Sequence, residues 1–71
     1  MIAVEFYTKL DEYEHFDWPP FVCSTPNIGD YVEGYNYTLR TYTYLQVAEI
    51  NHCWDGFKPF LKIELHRYLE D

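Results

Sequence analysis

Residues 37–52, Tyr-Thr-Leu-Arg-Thr-Tyr-Thr-Tyr-Leu-Gln-Val-Ala-Glu-Ile-Asn-His, are thick with β-branched and aromatic side chains. Such side chains lose rotamer freedom in a helix and suit a pleated, half-buried surface. The run is longer than an ordinary strand, so a bend or break is expected near Arg40 and Thr41. Leu45 and Val47 share one parity, whereas Ile50 and His52 take the other. A bulge at Ala48 and Glu49 reconciles them.

The flanking segments repeat the two-residue period. Ile2, Val4, Phe6, Thr8 and Leu10 alternate with Ala3, Glu5, Tyr7 and Lys9, which predicts a half-buried strand. Leu61, Ile63 and Leu65 are expected to point inward from a last strand, with Lys62, Glu64 and His66 outward. Short strands are expected at residues 21–23 and at Tyr31 and Val32. Turns are expected at Pro26, Asn27 and Gly29 and again at Gly34 to Asn36. Asp55-Gly56 is a strong hairpin signal that places Trp54 and Phe57 opposite each other. Pro19-Pro20 stops anything helical, although Asp11 and Glu14 could cap one short turn.

With 71 residues, the chain is read as a single domain, 1–71. Turn-separated strands without a long amphipathic helix give a mostly β fold. The expected architecture is a four-to-five-stranded antiparallel sheet curled into a small barrel or half-barrel, with at most one short helical turn. A chain this short buries only about 60% of its unfolded surface, and its eight Tyr, five Phe and two Trp can supply bulk to a small core.

The segment Pro26-x-x-Gly29-Asp30-x-Val32, followed by a strand and then Pro59-x-x-x-Ile63-x-Leu65, resembles small SH3-like β-barrels. In those folds a Gly-Asp-x-Val segment enters a strand. The resemblance implies a fold and assigns no activity. In size, acidity and lack of a catalytic motif the chain is also similar to phage-encoded inhibitors of bacterial defence systems, anti-CRISPR proteins among them.

Charge restricts the partners. The net charge is −7, and residues 1–38 hold seven acids against Lys9 alone, a balance of −6. Phosphate contacts need clustered Lys and Arg, so direct nucleic-acid binding is not expected and a basic protein surface fits better. Residues 2–5 alternate like a strand rather than a secretory leader, and no apolar run approaches a membrane span. The expected location is cytoplasmic, with Cys23 and Cys53 reduced.

Four constellations could carry chemistry. His15, Cys23, His52, Cys53 and His66 are soft metal ligands but lack paired spacing, and adjacent His52 and Cys53 would point to opposite faces of a strand. No metal or cofactor is therefore expected, and a metal-supported structural module is the weakest reading kept. Nucleophilic catalysis by either cysteine lacks an accompanying motif, so no enzyme is expected. The acidic-aromatic stretch Asp11, Glu12, Glu14, Phe16, Asp17 and Trp18 is either a charged loop folded back on the sheet or a partner-binding surface. In the second case carboxylates steer and aromatics anchor.

The last constellation is Arg40, Tyr42 and Tyr44, expected on one strand face near Tyr35 and Tyr37. It is either an aromatic ladder that stiffens the sheet or a surface for a small ligand such as a nucleotide, or for self-association. The leading expectation is a non-enzymatic binding protein, a phage-encoded inhibitor that covers a basic, nucleic-acid-binding face of a larger host protein. A homo-oligomeric small-ligand binder is the alternative.

Overall fold

In a computed structural model, which describes residues 1–67, alternation becomes five strands. They are β1 (Ile2–Thr8), β2 (Phe21–Val22), β3 (Tyr31–Asn36), β4 (Thr41–Trp54) and β5 (Pro59–His66). A single 3₁₀ turn, Asp11–Tyr13, follows β1. Its N-cap is Leu10, which offers no capping side chain, so Asp11 does not play the capping role its spacing with Glu14 suggested. The strands form a curled sheet in the order β2-β1-β5-β4-β3, a half-barrel.

The expected antiparallel sheet is corrected at one pairing. β5 runs antiparallel to β4 but parallel to β1, with Val4 opposite Leu61 and Thr8 opposite Leu65. Parallel neighbours need a long crossover, and here everything between β1 and β5 supplies it. Alternation assigns faces to a strand and says nothing of its neighbour's direction, so the mixed sheet was not legible in the pattern.

The inward parity of three strands makes the core: Val4 and Phe6 from β1, Leu45 and Val47 from β4, and Leu61, Ile63 and Leu65 from β5. The bulge in β4 lies between Val47 and Glu49, where expected. It keeps Ile50 against the core after the parity of Leu45 and Val47 has ended. Glu64 departs from its outward assignment in one respect. It is on the convex face, yet it is covered, with Tyr7 Oη 3.5 Å, Lys9 Nζ 3.9 Å and His66 Nε2 4.0 Å from its carboxylate. Loss of water around Tyr7, then the charge of Glu64, pushes that phenol's pKa up.

Residues 17–22 close the open side. Asp17 and Tyr35 exchange backbone hydrogen bonds of 2.8 and 3.0 Å, and Phe21 and Val22 pair with Ala3 and Ile2. One short segment thus touches both outer strands of the four-stranded sheet β1-β5-β4-β3. Between these anchors Trp18 turns inward over Gly34, where a Cβ would lie only 2.5 Å from the indole ring.

The turns are local chemistry. Gly29 has φ 94°, and the Asp30 carboxylate accepts the Asn27 N–H at 2.8 Å, so the Gly-Asp pair leads directly into β3. The strand there is longer than expected and runs through Gly34, so the turn foreseen at residues 34–36 falls instead at residues 37–40. Asn36 Oδ1 accepts the N–H groups of Thr38 and Leu39 at 3.0 and 3.1 Å, an Asx turn that starts the connection to β4. The β4–β5 turn is also longer than read. Trp54 faces Pro59 rather than Phe57, leaving residues 55–58 as the loop.

In that loop Asp55 Oδ1 accepts N–H groups from Phe57 and Lys58, both at 2.8 Å. The bond from Lys58, then that from Phe57, holds the carboxyl below its ordinary value. Because the folded pKa is the lower one, this stabilisation is present above the unfolded aspartate's pKa and is lost as pH falls through the folded value. An NMR titration should place the Asp55 midpoint below ~3.9, with the amides of Phe57 and Lys58 moving alongside it. A midpoint at or above that value would remove the turn's carboxylate contacts from the account.

Candidate functional site

Tyr31, Glu33 and Tyr35 of β3 alternate on one face and lie opposite Gln46, Tyr44 and Tyr42 of β4. The buried parity of β4 is Leu45 and Val47, so this second parity forms the convex face. Tyr35 is the hub. Its ring centroid is 4.7 Å from that of Tyr42 and 4.6 Å from that of Tyr37, the latter edge-on. Offset and edge-on contacts suit the ring quadrupole and hold the cluster in place. Tyr31, Tyr37, Tyr42 and Tyr44 nonetheless remain 58–69% exposed. Tyr44 Oη donates to Glu33 Oε2 at 2.8 Å. That bond, then the carboxylate's charge, raises the Tyr44 pKa and keeps the phenol protonated as a donor.

Arg40 does not share this strand face. It occupies the β3–β4 turn with φ 54°, a left-handed conformation, and β4 begins after it at Thr41. The expected line of Arg40, Tyr42 and Tyr44 is thus two strand tyrosines preceded by a turn arginine. The bend expected near Arg40 and Thr41 is this turn, residues 37–40, which the Asn36 side chain opens.

The acidic-aromatic stretch divides by chemistry. Tyr13 and Trp18 pack against the core, and Phe16 lies between them with ring centroids 5.6 and 6.4 Å away. Asp11, Glu12, Glu14 and Asp17 stay exposed. Glu12 pairs with Arg67, whose guanidinium stands 5.8 Å from the Tyr13 ring centroid. Trp18 therefore supports the surface from within, and Phe16 is half-buried between core and solvent.

The Asp17–Tyr35 pairing brings the two constellations together. Asp17, the last acid of the stretch, lies on the β3 edge next to the tyrosine hub. Sequence reasoning treated them as rivals, because eighteen positions separate Asp17 from Tyr35. It also missed Tyr31 and Glu33 as members, although their period with Tyr35 is the signal that could have found them. Gly34 drew the eye to a turn instead.

Elsewhere Cys23 and Cys53 are free thiols, the first exposed. Among the described residues no three His, Cys, Asp or Glu side chains gather in a group that could hold a metal ion. No helix of the described residues is long and apolar enough to cross a membrane. No family model, no curated protein and no solved structure matches the chain.

Proposed function

We propose that the chain is a non-enzymatic binding protein that docks on a basic face of a larger protein, using the tyrosine face of β3 and β4 and the acidic strap beside it. The backbone pairing of Asp17 with Tyr35 carries this reading, because it makes one surface of two features. Tyrosine offers a large, stiff and amphipathic contact at low entropic cost, and clustered carboxylates steer a cationic partner into register. Glu33 and the carboxylates of Glu14 and Asp17 are too few to imitate a long duplex. They suffice for a short run of phosphates, which suits an inhibitor that occupies part of a nucleic-acid-binding face. The likeness in size and acidity to phage-encoded inhibitors of bacterial defence supports the same use.

The test is capture from nuclease-treated bacterial lysate on the immobilised chain, at low and moderate salt, followed by intact-complex mass analysis. A stoichiometric basic partner should be retained at low salt and released as salt rises. Tyr42→Ala should weaken it by about 2 kcal/mol, roughly thirtyfold, and Glu14→Lys with Asp17→Lys should abolish its salt dependence. A partner unaffected by both changes would remove this surface from the reading. Recovery of a co-purified nucleotide that Arg40→Ala abolishes, with no protein partner, would favour the small-ligand alternative.

A further inference from the structure

The far end of β4 carries a second surface of different character. A groove of about 500 Å³ opens where β1, β2, β4 and β5 meet, with Ile2, Phe21, His52, Lys58, Pro59 and Leu61 among its lining. None of the described residues lining it bears a carboxylate, in a chain with twelve. Two aromatics adjoin that lining: Trp54, paired with Pro59, and Phe57, next in the chain to Lys58. Trp54 is 66% exposed and Phe57 92% exposed.

Phe57 is not exposed for want of structure. The Asp55 carboxylate holds the N–H groups of Phe57 and Lys58, the Asp55 N–H donates to Lys58 O at 3.3 Å, and Gly56 takes φ 96°. The turn therefore holds the backbone that presents an exposed apolar ring, so that part of the ordering cost is met inside the hairpin. Aromatic anchors and the grooves that take them are the usual components of a binding hot spot.

We infer that this end is a twofold interface with a second copy of the chain, in which Phe57 of each copy enters the groove of the other. Anchor and receptor lie on one patch, which is what an isologous contact requires. Charge selects the same occupant. Two chains of net charge −7 repel over most of their surfaces, and the acid-free groove is where they can meet. The Asp55-bearing tip of one copy then approaches a groove whose ionisable lining includes Lys58 and His52. The tyrosine face lies at the opposite end of β4 and stays open, so one assembly would display it twice.

Sedimentation velocity from about 10 µM to 1 mM reads the equilibrium directly. A dimer should grow with concentration and strengthen between about 50 and 500 mM salt, as repulsion between the acidic bodies is screened. That is opposite in sign to the salt response expected of the basic partner. Phe57→Asp should weaken dimerisation at least tenfold without lowering the melting temperature, because the ring makes no core contact. Tyr42→Ala should leave it unchanged. In a mixed labelled and unlabelled sample, isotope-filtered NOEs should connect the Phe57 ring of one copy with Leu61 methyls of the other. A monomer throughout the range, a dimer indifferent to Phe57→Asp, or one lost on Tyr42→Ala would each overturn the inference.

Discussion

Replacing Gly34 by valine should cost about 3 kcal/mol, a fall in melting temperature on the order of 15 °C for a domain of this size. Valine is the better strand former, so intrinsic preference points the other way. The cost comes from Trp18, whose indole lies 2.5 Å from where the first side-chain carbon would stand. The ring cannot give way cheaply, since it is packed against the core on a segment anchored at both ends. A chain of this length has only about 4–10 kcal/mol of total stability, so the variant is near the edge of folding. A double-mutant cycle isolates the cause. Trp18→Ala alone should cost about 2–4 kcal/mol, and on that background Gly34→Val should cost close to nothing. Equal costs on both backgrounds would mean that the glycine is there for some reason other than the indole.

Ile63→Ala should be at least as damaging, at about 3–4 kcal/mol by urea denaturation with an unchanged m value. Ile63 is fully buried on the central strand, opposite Phe6 on one side and Ile50 on the other. Neither neighbouring strand can collapse into the hole without breaking its own ladder. Ile63→Val should cost only about 1 kcal/mol. Tyr42→Ala, on the convex face, should cost about 0.5 kcal/mol in stability. This makes it a clean probe of binding. A large loss of stability from Tyr42→Ala would mean that the tyrosine ladder serves the fold before any partner.

Much of the β pattern was legible in the sequence, because a strand's faces are written in its two-residue period. The alternation in β1 and β5 and the parity slip at Ala48 needed no other information. Neighbour relations were not legible in the same way. The parallel β1–β5 pairing depends on how residues 9–30 cross the sheet, and no local propensity encodes that path. Gly34 was misread for a related reason. Beside Tyr35 and Asn36 it has the composition of a turn, and only the distant Trp18 explains a glycine within a strand. The same limit governed the site. Asp17 and Tyr35 each stood out, but their adjacency is a product of the fold. The bend expected near Arg40 and Thr41 is a turn at residues 37–40, and Arg40 leaves the face of Tyr42 and Tyr44 because a residue before the bend does not share the period of those after it.

The position of β5 has a consequence for how the protein comes into being on the ribosome. The strand at the centre of the sheet is made after all the others, and the parallel neighbour with which it pairs is the first. Until residues 59–66 have emerged, β1 has only the two-residue β2 beside it, and β4 lacks the partner of its second half. The nascent sheet therefore stays unclosed until β5 arrives and joins β1 to β4 in one step. Long-range closure of this kind is slow for a chain of its size. A message that stops before the codons of β5 yields no reduced version of the domain, only an acidic polypeptide without a centre.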